Sequence, residues 1–181
     1  MKGSIKYIGC DDPEMKLFES QYVTPEGMCY NSYIILDDKV AVVDGVDSRK
    51  TEEWMRNMKL AMGERTPDYL IIQHMEPDHS GSVSAFIKEY PKATVVASDK
   101  ALKFLCQFNE GLEIARTLVV KDGDTLNLGS HILHFIAAPM VHWPEVFSLE
   151  TWHKGISGQD GGHCRKRNLG PFCREGDACS C

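Results

Sequence analysis

The segment His74-Met75-Glu76-Pro77-Asp78-His79 places four potential metal ligands within six residues. Alternate side chains of an extended chain point the same way, so His74 and Glu76 can converge on one ion. Pro77 then bends the chain, and Asp78 with His79 can face a second ion. Imidazoles and carboxylates without a thiolate form a harder donor set than a typical structural zinc site. Mixed sites of this kind suit iron or manganese, with zinc as the alternative. Two neighbouring ions can polarise a shared small ligand or clamp a phosphoryl or carbonyl group. The competing reading is a polar loop capping a helix, with Asp78 near the N-terminus for dipole reasons. Four potential ligands in this order weigh against it.

Two further candidates lie downstream. His142 sits in the Pro-bounded segment Ala138-Pro139-Met140-Val141-His142-Trp143-Pro144-Glu145, after a predicted strand. Asp160, in Gly158-Gln159-Asp160-Gly161-Gly162, reads by composition as a turn. His131 and His134 are three apart in a strand pattern, hence on opposite faces, and read as structural. His153 and His163 have no supporting context. Cys179-Ser180-Cys181 has donors for metal or redox work but lies in an irregular tail. There is no Gly-rich phosphate loop, no H-E-x-x-H helix and no paired C-x-x-C site. Ser80 lacks a nucleophile-elbow context.

Alternating strands and helices must position these residues. Tyr33–Leu36 and Val40–Val43, joined by Asp37-Asp38-Lys39, read as a hairpin. A helix is expected from about Lys50 to Met62, with Trp54, Met58, Leu60 and Ala61 as its apolar face and Gly63 ending it. Asp68–Gln73 is a short apolar strand of the kind buried on both faces. The candidate loop therefore follows a buried strand, where α/β proteins put their chemistry. Ser80 or Ser82 is expected to cap the next helix, which runs to about Tyr90 before Pro91. Ala93–Ala97 is a strand and Lys100–Phe108 a helix. Thr117–Val120, Lys121-Asp122-Gly123-Asp124 and Thr125–Leu128 read as strand, Asp-Gly turn, strand, followed by a strand over Ile132–Ala137.

The 181 residues carry 26 acidic and 20 basic side chains, a net charge of −6, with 43% apolar residues. That composition is globular, and its acidic balance argues against a nucleic-acid or anionic-membrane surface. No apolar run reaches the roughly 20 residues of a membrane-spanning helix, and the N-terminus lacks a signal-peptide core. A cytoplasmic protein is the expectation. Seven cysteines, an odd number, fit reduced thiols better than a disulfide framework. Residues 161–181 carry a local charge of +2 and are expected to form an unstructured, Cys-rich basic tail. Their composition is of the kind a shifted reading frame produces. Residues 1–160 form the domain.

His74-x-Glu76-x-Asp78-His79 resembles the metal loop of the metallo-β-lactamase superfamily. Glu76, where hydrolases of that superfamily usually have His, resembles the flavodiiron proteins (A-type flavoproteins). Three further blocks, in the right order, carry the resemblance: Thr24–Tyr33, Val119–Asp124 and Ala138–Glu145. It covers about residues 5–160. It implies an α/β (α+β) fold, a metallo-β-lactamase-like αβ/βα sandwich, of which only the N-terminal part is present. It implies a non-haem diiron centre: His74, Glu76 and His142 on one iron, Asp78 and His79 on the other. Asp160 matches the bridging aspartate if one residue is missing around Val146-Phe147. The implied activity is reduction of O2 to water or of NO to N2O. Electrons would come from FMN in a flavodoxin-like domain that this sequence does not carry, or from a donor such as rubredoxin, in a homo-oligomer. The family's last His ligand lies beyond Asp160 and has no counterpart here, which is expected to weaken the second iron. Two alternatives stay open: a binuclear metallo-hydrolase of the same superfamily, against which Glu76 argues, and an inactive truncated product.

Overall fold

The computed structural model of the chain describes residues 3–140, 143–153 and 165–168. Its first half builds one mixed sheet. Strands β1 (Ser4–Tyr7), β2 (Cys10–Asp12), β3 (Leu17–Phe18), β4 (Tyr22–Val23) and β5 (Met28–Tyr30) lead into the hairpin β6 (Tyr33–Leu36) and β7 (Val40–Val43). Then come α1 (Thr51–Met62), β8 (Tyr69–Ile71), α2 (Pro77–Ser80), α3 (Val83–Glu89), β9 (Thr94–Ala97), α4 (Asp99–Phe108) and β10 (Thr117–Val119). The six-stranded sheet has the order β1-β6-β7-β8-β9-β10. The hairpin pairs Tyr33 with Val43, antiparallel, and β7 through β10 run parallel. Parallel neighbours need crossover connections, and the helices supply them.

A second sheet contains β11 (Thr125–Asn127), β12 (His131–Ala137), β13 (Phe147–His153) and β14 (Arg165–Asn168), all antiparallel. The period of two in the first sheet sorts its side chains between two cores. Ile34, Val42, Leu70 and Val95 face the helices, meeting Trp54, Met58, Phe86 and Leu105. Ile35, Val43, Ile71 and Val96 face the second sheet, meeting Leu133, Phe135, Phe147 and Leu149. The first sheet is therefore covered on both sides, which is why its strands read as unbroken apolar runs. The result is three layers, helices on a mixed sheet on an antiparallel sheet. Asp37, in the hairpin turn, ties the two sheets together. Its Oδ2 accepts from His131 N at 2.7 Å and from His131 Nδ1 at 2.8 Å. His134 points to the other face and packs against Trp152, the rings 5.2 Å apart and tilted by 44°.

Four local expectations need correction. Leu60 is 77% exposed; the buried face of α1 is Trp54, Met58 and Met62, because 100° per residue carries position 60 away from the stripe. The Asp122-Gly123 turn does not close a hairpin. It passes the chain from β10, whose partner is β9, to β11 in the other sheet, and it is held there by Gly123 N donating to Phe135 O. Ser82 stands at the N-cap of α3, as expected, but its side chain makes no capping hydrogen bond. Ser82 Oγ accepts from Val46 N, and Ser80 Oγ donates to the carbonyls of Met75 and Glu76. The strand Phe147–His153 was not expected, although its Phe-Ser-Leu-Glu alternation is a strand pattern. Most of the tail expected over 161–181 lies outside the described residues; within it, Arg165–Asn168 pairs with β13. Among the described residues no helix is long and apolar enough to cross a membrane.

Candidate metal centre

Three chain segments meet beyond the carboxyl ends of β7 and β8. The first delivers Asp44, immediately after β7. The second delivers Gln73 to His79, after β8. The third is the connection between β12 and β13, which delivers Trp143 and Glu145. It is joined to the loop by Phe147 N donating to Gln73 O.

The four clustered donors arrive as two pairs. His74 Nε2 lies 2.9 Å from Glu76 Oε2. His79 Nε2 lies 3.5 Å from Asp78 Oδ2. The two imidazole rings are 5.4 Å apart, centre to centre. Residues 74 and 76 meet because the chain is extended between them; Pro77 then starts α2 at its first helical position, which turns Asp78 and His79 away from the first pair.

Two carboxylates from outside the loop complete the arrangement, and sequence reasoning had not singled them out. Asp44 Oδ1 accepts from Gln73 N at 2.7 Å, and Oδ2 accepts from Gln73 Nε2 at 3.0 Å. Oδ2 also lies 3.3 Å from His79 Nδ1, an ion-pair contact rather than an aligned hydrogen bond. Asp44 has φ 55°, a left-handed conformation that Asp tolerates better than most residues. Next to it, a Cβ on Gly45 would stand 2.5 Å from Ser82 Oγ, so the close approach of the two loops needs glycine. The available signal was an Asp-Gly pair directly after a buried strand. Glu145 Oε1 accepts from His74 Nδ1 at 2.8 Å and from Met75 N at 3.2 Å. Trp143 stands edge-on to the His74 ring at 5.1 Å.

The electrostatics are those of a site with an excess of negative charge. Asp44, Glu76 and Glu145 are buried, as are both imidazoles, and Asp78 is mostly so. Burial raises the Asp78 carboxyl above its ordinary range, with His79 opposing the shift and Glu76 adding to it. For His79, burial works against the charged ring. The contact with Asp44 and the charges of Asp78 and Glu76 outweigh it and push the imidazole up to about 9.

Among the described residues no three such donors are set around a common point as ligands; they pair with one another instead. His142 and Asp160 lie outside the described residues. The donor set itself fits a cation. Four carboxylates against two imidazoles leave negative charge in a low-dielectric interior, which is costly without a counter-charge. Asp78 Oδ1 is buried and makes no hydrogen bond among the described residues.

A family model described as ODP family beta lactamase matches residues 28–154. The anaerobic nitric oxide reductase flavorubredoxin of Vibrio vulnificus is 31% identical over 157 residues, which is 86% of this chain and 31% of that protein. The crystal structure of the flavodiiron protein from Giardia intestinalis superposes with a TM-score of 0.76 at 31% identity, over 81% of this chain and 36% of that one. The rubredoxin oxygen:oxidoreductase of Desulfovibrio gigas gives a TM-score of 0.71 at 28% identity, over 82% and 36% respectively. The chain thus spans about a third of the length of the proteins it matches.

Proposed function

The chain belongs to the ODP family of β-lactamase-like domains, and from that premise we propose that it is the metal-binding part of a flavodiiron oxidoreductase that reduces O2 to water, NO to N2O, or both. The observation that carries this reading is the loop His74-x-Glu76-x-Asp78-His79, buried at the carboxyl ends of β7 and β8 with two more carboxylates behind it. The relatives lend it support, one being named a nitric oxide reductase and another a rubredoxin oxygen:oxidoreductase.

In this reading His74 and Glu76 would hold one iron together with His142, and Asp78 and His79 would hold the other, with Asp160 as a shared ligand. Two irons, when bound, would supply electrons to a diatomic molecule. This chain's own residues do the rest. Glu76, in place of an imidazole, adds a negative charge, and that charge favours the more oxidised and more positive state of whatever it holds. Asp44 and Gln73 fix the base of the loop. Burial of both imidazoles keeps bulk water out. Asp78 is the least enclosed of the four donors, with 14% of its side chain exposed. FMN held outside this domain would supply the electrons, directly or by way of a rubredoxin-like or flavodoxin-like donor. A cytoplasmic setting and a homo-oligomer belong to the same proposal.

The test uses the 181-residue chain loaded anaerobically with ferrous iron and given a chemical reductant and FMN. Consumption of O2 or NO above that of the same iron, reductant and FMN without the chain is the expected result. Hydrolysis of an ester, thioester or phosphodiester by the zinc-loaded chain, with neither gas consumed by the iron-loaded one, would overturn it.

A further inference from the structure

We propose that Glu145 is a positioning residue that fixes the tautomer and orientation of His74, leaving the Nε2 atom of that ring as the one directed at Glu76. The proposal rests on the metal-centre reading above for its purpose, but not for its geometry.

The Glu145 side chain is fully buried, and a carboxylate at that depth is costly unless paired. Its Oε1 serves two donors on the loop, His74 Nδ1 at 2.8 Å and Met75 N at 3.2 Å. A carboxylate oxygen only accepts, so Nδ1 carries a proton in this contact; the same rule holds for Nε2 and Glu76 until a cation takes the place of that proton. The other nitrogen, Nε2, then faces Glu76 Oε2 at 2.9 Å, where both can hold one ion. The same connection contributes Trp143, whose ring stands at 84° to the His74 ring and limits its rotation. Position 145 is 71 residues from His74, so this restraint exists only once the second sheet has packed on the first.

Glu145 Oε2 separates positioning from simple stabilisation. It is buried and makes no hydrogen bond among the described residues. A carboxylate retained for stability alone would have both oxygens satisfied, because a half-satisfied buried polar group costs more than an apolar one. What Glu145 contributes is direction: one oxygen, aimed at one ring nitrogen and the adjacent backbone. Outer partners of this kind set the tautomer of a ligating histidine and raise its basicity.

The test compares the full chain with Glu145→Gln and Glu145→Leu. The amide of the first still offers an oxygen to Nδ1–H; the second offers none. Nitrogen-15 spectra of the histidine rings, recorded without metal, show directly whether His74 Nδ1 carries a proton. The native chain and Glu145→Gln are expected to carry a proton on His74 Nδ1. Glu145→Leu is expected to lose it and to place the ring proton on Nε2. Ferrous iron affinity, titrated anaerobically, is expected to fall about 10–100-fold in Glu145→Leu and much less in Glu145→Gln. An unprotonated Nδ1 in the native chain would overturn the proposal, even if neither variant folds. So would an Nδ1 proton that persists in Glu145→Leu. If the chain binds no iron but the tautomer follows Glu145 as described, the metal-centre reading fails and the positioning role stands.

Discussion

Replacing Asp44 by Asn asks how much of the site is held by one buried carboxylate. Asn tolerates the left-handed φ of 55° about as well as Asp, so the backbone is not the variable. With its oxygen at the Oδ1 position, Asn still accepts from Gln73 N. Its NH2 group then replaces Oδ2 and meets two nitrogens, Gln73 Nε2 at 3.0 Å and His79 Nδ1 at 3.3 Å. Turning the amide over only moves the donor–donor clash to Gln73 N. A hydrogen bond to a charged acceptor is worth about 1.5–3 kcal/mol. Breaking a buried charge pair by removing one partner costs about 3–5 kcal/mol. Both interactions use the same oxygen and do not add, so the expected loss is about 3–4 kcal/mol. Urea unfolding followed by tryptophan fluorescence, with the buried Trp54 as reporter, should show the midpoint falling by about 1–2 M with an unchanged slope. A shift below about 0.3 M would mean that the carboxylate of Asp44 does not hold the loop. The geometric account of the centre would then lose its base.

Two further outcomes follow from other buried groups. Burial opposes the charge of Asp37, but hydrogen bonds from Ser130, His131 and Asp38 outweigh it and hold the carboxyl below its ordinary range. A depressed folded-state pKa means stability that is present above the unfolded value of about 3.9 and lost as pH falls through the lower folded value. Asp37→Asn should therefore cost about 2–3 kcal/mol at pH 7, and the gap to the native chain should close in urea titrations as pH drops below about 4; an equal gap at both ends would contradict the link between the sheets. Burial, reinforced by Glu53, pushes the Cys10 thiol up to about 12. Iodoacetamide at pH 8 should label the exposed Cys29 and Cys106 and spare Cys10 until the chain unfolds, as read by peptide mapping. Labelling of all three at one rate would refute that burial.

The local parts of this architecture were readable because local rules decide them. The hairpin over 33–43 follows from two apolar runs and a three-residue polar turn, and the strand after it from an unbroken apolar run. His74 meets Glu76, and His79 meets Asp78, because extended backbone and a proline leave little choice. What stayed hidden depends on tertiary placement. Asp44 reads as half of an Asp-Gly turn until Gln73 folds against it from 29 positions away. Glu145 reads as a loop residue until β13 packs on the first sheet. The Asp122-Gly123 turn has hairpin chemistry, yet the strands on either side of it find better partners in different sheets. Leu60 joined the apolar face on residue type alone, whereas the helical period assigns it to solvent. His142, singled out from its Pro-bounded loop, and Asp160, which the family resemblance brought to the site, lie outside the described residues.

The central claim is that His74, Glu76, Asp78 and His79 form an iron-binding loop. Iron content after anaerobic loading and desalting tests it most directly, on the native chain and on Asp78→Asn and Glu76→Gln. The native chain is expected to retain between one and two irons per chain. Each variant is expected to bind at least about tenfold more weakly, since ligand deprotonation and count enter the binding free energy directly. A native chain that retains no stoichiometric iron, or variants that retain as much as the native chain does, would contradict the account.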